Sequence, residues 1–272
     1  MPQGQEQILA RMMTSWLHSY QMDPEKEAMI KGFLRTSRDD LTASKLLYEQ
    51  NSYALAVYHL QQAVEKATKA YCLFSGRISV DEILKIKHES LRGHQIFANK
   101  LSRELKLLVQ ANPSLNADLS KLDELMGKVK RREVALFDGV TIDKLISAYD
   151  SQVERSNLPM SLASEKMETI FQGVLKEYPE FRHLTEDETK QARDILNRML
   201  PQVMSASQSI PFLFVASVLT FPHWMWTRYP DGDIKPWDYQ PSMGIVSRMP
   251  QLIHRMDKAL KSMEAQVTPA TK

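Results

Sequence analysis

Glycine and cysteine are both scarce in this chain, with nine glycines and one cysteine among 272 residues. A lone cysteine, Cys72, excludes an internal disulfide and the usual zinc-ligand spacings. Its place inside an apolar helical stripe marks it as a buried, inert thiol. Scarce glycine and the absence of alternating β-branched runs remove the main signals of sheet structure, so the fold class is read as all-α. There is no glycine-rich phosphate loop, nucleophile elbow or paired-carboxylate motif. His88, Glu89, His183 and His223 do not cluster, so neither a metal site nor a cofactor is expected. The net charge of +2 neither demands nor excludes a local basic patch. Only one long uncharged run exists, "IPFLFVASVLTFPHWMW" from Ile210 to Trp226. It is short for a bilayer span of about 20 residues, and Pro222 falls near its end, so it is read as a buried core helix. The N-terminus lacks a basic start followed by an apolar block, which excludes a secretory signal. The reading is of a cytoplasmic protein with no membrane segment.

With 43% hydrophobic residues the chain can bury a sizeable core, and its helix signals recur throughout. Ile8, Met12 and Trp16 recur at helical spacing in an N-terminal extension. Ser37 reads as an N-cap, with Asp39 and Asp40 in the first turn and Leu41, Leu47 and Tyr48 on the apolar face; "EQNS" ends that helix. In the next helix Tyr53, Val57, Leu60, Val64, Ala67, Tyr71 and Phe74 alternate steps of four and three, the pattern of a helix packed lengthwise on another. Ala56, Ala63 and Ala70 beside that stripe allow a neighbour close approach, and Gly76 is the expected C-terminal cap. A loop and short helix follow. The more polar region from Ala111 to Ser209 reads as several shorter helices, punctuated by "ANPSLN", "DGVT", "RSNLPMS" and "HLTEDE", with Thr185 and Glu188 forming a capping box. After the uncharged helix, "TRYPDGDIKPWDYQPS" reads as an irregular loop. A last helix runs through "GIVSRMPQLIHRMDKALKSMEA", where Ile245, Leu252, Met256, Ala259 and Met263 are heptad-spaced. Pro250 is compatible only with a helix that starts or kinks near it.

The stretch "DDLTASKLLYEQNSYALAVYHLQQAVEKATKAYCLFSGR" resembles the first two helices of HEPN domains, small α-helical bundles named for higher eukaryotes and prokaryotes nucleotide-binding. Asp40, Leu41, Ala43, Leu46 and Leu47 fit the D-L-x-x-A-x-x-L-L pattern of the first helix. Tyr53, Ala56, His59, Gln61, Gln62, Ala63, Glu65, Lys66, Ala67, Lys69 and Ala70 fit the second. "KIKHESLRGH" is similar to the histidine-acid stretch that follows, with His88 and Glu89, and "TRYPD" to the loop before the last helix. The distance between these blocks is too long for a compact HEPN domain. The resemblance therefore implies an antiparallel helical bundle enlarged by a helical insertion. The divisions are an extension at 1–34, a first HEPN-like block at 35–104, the insertion at 105–208, the closing block at 209–265 and a frayed tail at 266–272.

The resemblance further implies a nucleotide- or RNA-binding protein, a homodimer, and a role beside a partner such as a nucleotidyltransferase in a prokaryotic defence or toxin–antitoxin pair. Some HEPN proteins are metal-independent endoribonucleases carrying an R-x(4–6)-H motif that meets its symmetry mate. There histidine moves a proton and arginine stabilises charge on phosphate. "RMPQLIH" supplies Arg248 and His254 at that spacing; the alternative is a surface arginine and a solvated histidine. A third possibility is a non-catalytic assembly scaffold. His59 is either a helix-interface histidine or a nucleotide contact. Arg228 and Tyr229 either take a phosphate and a base, or brace the loop, with Arg228 pairing Asp231 and Tyr229 packing on the bundle. Lys128, Lys130, Arg131 and Arg132 form the densest basic run, either a solvated helical face or an RNA phosphate contact.

Overall fold

A computed structural model describes residues 24–76, 78–86, 138–156, 212–230 and 234–267, with a few isolated positions between them. Among these residues all regular structure is helical, as expected of an all-α bundle. Helix α1 spans Pro24–Glu49 and α2 spans Tyr53–Phe74. The short α3 spans Val80–Ile86 and α4 spans Gly139–Ser156. Residues 212–220 form α5 and His223–Trp226 form α6; a single 3-10 turn at Pro236–Asp238 follows. The chain closes with α7, Gly244–Ser247, and α8, Met249–Val267. No described helix is long and apolar enough to cross a membrane.

The bundle is organised around an α1–α2 hairpin. Its turn is set by Asn51, which adopts a positive φ of 60°, and Ser52 N–H donates back to the Leu47 carbonyl at 2.8 Å. Gly76, at φ 69°, ends α2 in the role expected of it. The stripe of α2 is buried as its spacing requires: Val57, Leu60, Val64, Ala67 and Tyr71 lie in the core. Ala56, Ala63 and Ala70 are fully buried too, so α2 is covered on most of its circumference and acts as the central stave.

The small residues permit an unusually direct union with α1. Ser37 Oγ donates to the Ala63 carbonyl at 2.7 Å, and Ser44 Oγ donates to the Ala56 carbonyl at 2.8 Å. The two pairs step by seven in opposite directions, so one antiparallel register satisfies both. This corrects the expectation for Ser37. It lies inside α1, which begins at Pro24 with Glu25 and Glu27 in its first turn, where proline and carboxylates suit the orphan N–H groups. Ser37 is a seam residue: its hydroxyl reaches the neighbouring backbone because its side chain is small. The expected division between 34 and 35 falls within α1.

The remaining helices close over this hairpin. Ser79 and Glu82 form a reciprocal cap that starts α3. Asp138 caps α4, accepting from Thr141 N–H at 2.7 Å, and this bond holds its carboxyl below the usual range. Although α4 lies in the expected insertion, Ile142 and Ile146 are buried and Tyr149 packs on Phe212 with ring centroids 5.6 Å apart. The uncharged run behaves as a core helix: Phe212, Leu213, Ala216, Val218 and Leu219 are buried. The expected last helix breaks at Arg248, and α8 restarts at Met249 with Pro250 in its first turn.

Charges fix α8 on both flanks. Arg38 of α1 forks to Glu264 at 3.1 and 2.8 Å and also donates to Asp257. On the other flank Arg248 grips Asp143 of α4 with two bonds of 2.6 Å, and Arg255 grips Asp150 one heptad further on. Both partners advance by seven in the same direction, so α4 and α8 run parallel.

Candidate functional site

The polar residues that interrupt the apolar stripe of α2 emerge on one side of the hairpin. Asp40 of α1 lies against them because of the seam register described above. One of its carboxylate oxygens sits 2.9 Å from His59 Nδ1, and the other accepts from Lys66 Nζ. The carboxylate thus bridges a histidine and a lysine one heptad, about two turns, apart. An imidazole oriented through Nδ1 keeps Nε2 for another partner. Lys66 also reaches Gln62 Oε1 at 3.4 Å, and Gln62 donates to Gln61 Oε1 at 2.7 Å. Gln61 and Glu65 are buried, and Glu65 accepts from Lys69 at 2.8 Å. These two therefore belong to the packing of α2, while Asp40, His59, Gln62 and Lys66 border solvent.

A second element joins this face through Tyr58, whose ring meets His59 edge-on at 5.2 Å. The Arg228 guanidinium lies 5.0 Å from the Tyr58 ring, 5.1 Å from Tyr229 and 5.6 Å from Trp224. Its Nε donates to the Trp224 carbonyl at 3.3 Å, which leaves both terminal nitrogens for other acceptors. Among the described residues Arg228 has no carboxylate partner. A guanidinium stacked on rings with its edge unused is suited to bidentate capture of an oxyanion. Tyr229 is half exposed, so its ring is available for stacking.

The loop that presents Arg228 is anchored from beneath. His223 is fully buried; its Nδ1 lies 2.7 Å from the Tyr239 hydroxyl, and Thr227 Oγ1 donates to its carbonyl at 2.9 Å. Burial pushes the His223 imidazole down to about 4 and raises the Tyr239 hydroxyl, so both are neutral near pH 7. The buried pair works as a fastening for the loop. No metal-binding cluster occurs among the described residues.

The sequence candidates separate into three groups. His59, Arg228 and Tyr229 are brought together through Tyr58. Arg248 and His254 stand apart from them: Arg248 is turned towards α4, its guanidinium against Asp143 and over Gly139, where a Cβ would come within 3.0 Å. His254 is exposed on α8. Lys128, Lys130, Arg131 and Arg132, and likewise Asp231, lie outside the described residues. Sequence reasoning did not single out Asp40, Tyr58 or Trp224 as site residues. For Asp40 the signal was present, since the heptad register of the hairpin sets it opposite His59; Tyr58 and Trp224 carried none.

With this geometry in hand, the comparisons with known proteins are specific to one region. Residues 30–112 match the family model described as HEPN domain, a span that begins within α1 and includes all of α2 and α3. A 48-residue stretch is 44% identical to a Methanocaldococcus jannaschii protein named "Putative toxin". It covers 18% of this chain and 32% of that protein, so the chain spans about a third of the length of the curated relative it matches. No solved structure matches the chain. The family match and the α1–α2 hairpin thus fall on the same stretch: residues 30–112 of this chain are similar to HEPN domains.

Proposed function

We propose that this is a nucleotide- or RNA-binding HEPN protein acting as one half of a toxin–antitoxin or related defence pair. The observation that carries the reading is Arg228, stacked among Tyr58, Trp224 and Tyr229 and without a carboxylate partner among the described residues, on the same face as His59, Asp40 and Lys66. Arg228 supplies a phosphate contact, Tyr229 a stacking ring, and Lys66 and His59 further positive and hydrogen-bonding groups. Similarity to a protein named "Putative toxin" supports the biological setting, and the family resemblance supports a homodimer and a nucleotidyltransferase-like partner.

The test is a thermal-shift series with nucleoside mono- and triphosphates and a short RNA. A ligand that favours the native state raises the melting temperature by mass action, about 2.7 kcal/mol at a hundred times its Kd. Wild type is expected to shift, and Arg228→Ala to lose the shift while melting normally in the absence of ligand. Absence of a shift with any nucleotide or RNA would leave a non-catalytic scaffold as the better description. The same RNA incubated in EDTA examines the endoribonuclease alternative, in which cleavage abolished by His254→Ala would place chemistry at the α8 pair.

A further inference from the structure

The loop that carries Arg228 holds a second cation stacked on an aromatic ring. Trp237, in the 3-10 turn, is 62% exposed, and Lys235 Nζ lies 5.6 Å from its ring centroid. An exposed tryptophan by itself is ordinary. Here, however, the backbone on either side of the ring is fixed. Lys235 N–H donates to Asp238 Oδ2 at 2.8 Å, Asp238 N–H donates to the Lys235 carbonyl at 2.9 Å, and Gln240 donates to the Trp237 carbonyl at 3.0 Å. Two residues on, Tyr239 is buried against His223, the residue to which Thr227 also bonds. Tyr229 and Trp237 therefore rise from two ends of one loop fastened at a common point. Each is an exposed ring with a cation on it, and among the described residues neither Arg228 nor Lys235 has a side-chain carboxylate partner.

We infer that Trp237 with Lys235 is a second base-stacking post, and that the ligand of this surface is a single strand of at least two unpaired nucleotides. This inference rests on the reading of the Arg228 face as a nucleotide- or RNA-binding surface. Stacking needs a π face, which every base offers and an acidic peptide does not, while the cations answer successive phosphates. A single nucleotide engages the Arg228–Tyr229 post alone. A strand engages both, and a duplex, whose bases are already stacked on one another, gains little from either ring.

The experiment measures binding of a labelled ten-residue oligouridylate by fluorescence anisotropy and of uridine monophosphate by calorimetry. Both are run on wild type, Trp237→Ala, Trp237→Phe and Arg228→Ala. Trp237→Ala is expected to weaken the oligomer about tenfold or more, in keeping with the usual worth of one stacked base. It should leave the monophosphate unchanged, and Trp237→Phe should retain most of the oligomer affinity. Arg228→Ala should weaken both ligands. Undiminished oligomer binding by Trp237→Ala overturns the second post. So does an equal loss for the two ligands, or competition by polyglutamate as effective as by unlabelled strand, which would indicate an acidic protein partner. If wild type binds neither ligand, the nucleotide reading falls as well. Unchanged melting of Trp237→Ala, expected for so exposed a ring, separates lost contact from lost fold.

Discussion

Acidifying the solution to pH 5 should destabilise this protein by an amount set largely by one residue, His223. Its imidazole is fully buried beside the Tyr239 hydroxyl, and burial lowers it from the ordinary 6.5 to about 4. Between those values the unfolded chain binds a proton that the native state refuses. Stability is therefore complete above pH 6.5 and falls as the pH drops towards 4. Linkage with these two values gives a loss of about 2 kcal/mol on going from pH 7 to pH 5, and about 3 kcal/mol when the pH reaches the native value. The physical cause is the site itself. Protonation places a charge in an apolar pocket and turns Nδ1 into an obligatory donor against a hydroxyl that then has to accept. Urea denaturation of wild type and His223→Gln at pH 7 and pH 5 measures the effect. The variant is expected to be less stable at pH 7, because it repacks a buried site, but to lose much less between the two conditions. The comparison of slopes removes what the other titrating groups contribute to both proteins. Equal slopes for wild type and variant would refute the argument, since His223 would then take up its proton as readily in the native state as in the unfolded one.

Two further outcomes follow from the packing. Ala63→Leu adds bulk at a fully buried point where Ser37 already bonds the Ala63 carbonyl at 2.7 Å, so α1 has to move. A loss of at least the 1–3 kcal/mol usual for overpacking is expected in the urea midpoint, and wild-type stability would contradict the close seam. Cys72 is fully buried, with its thiol pushed up to about 12 by burial, so it should resist an aromatic disulfide reagent at pH 8 until urea is added. Labelling of the native protein at the rate of a free thiol would show that the core opens readily at α2.

What could be read from the sequence was whatever depends on period. The heptad stripe of α2 and its alanines foretold both the burial of that helix and the close approach of its neighbour, because side-chain direction in a helix follows from spacing alone. Gly76 and Pro250 were legible for a similar reason, since each restricts its own backbone. Ser37 misled because a serine that caps a helix and a serine that lets two helices touch look the same locally; only the helix 26 residues later distinguishes them. Arg228 was singled out as a candidate, but its surroundings were not foreseen. Tyr58, whose ring lies 5.0 Å from its guanidinium, is on another helix, and no spacing connects the two. Trp237 passed unnoticed because exposure and a pinned backbone are properties of the folded loop.

The flanking ion pairs of α8 also bear on the endoribonuclease alternative. Arg248 and Arg255 face α4, while Asp257 and Glu264 face Arg38 of α1 on the opposite side. The buried stripe of Leu252, Met256, Leu260 and Met263 lies between them. A rotation of α8 that turned Arg248 towards the side of His254 would break both ladders and expose that stripe. Within one chain, then, the two residues of the R-x5-H spacing do not converge without dismantling the helix's supports. A site assembled from two chains asks less: His254 is already exposed, and only the Arg248–Asp143 pair has to open or be shared with a phosphate. Any catalysis at this helix is thus tied to dimerisation, so cleavage activity, if present, should rise with protomer concentration in step with the dimer measured by sedimentation.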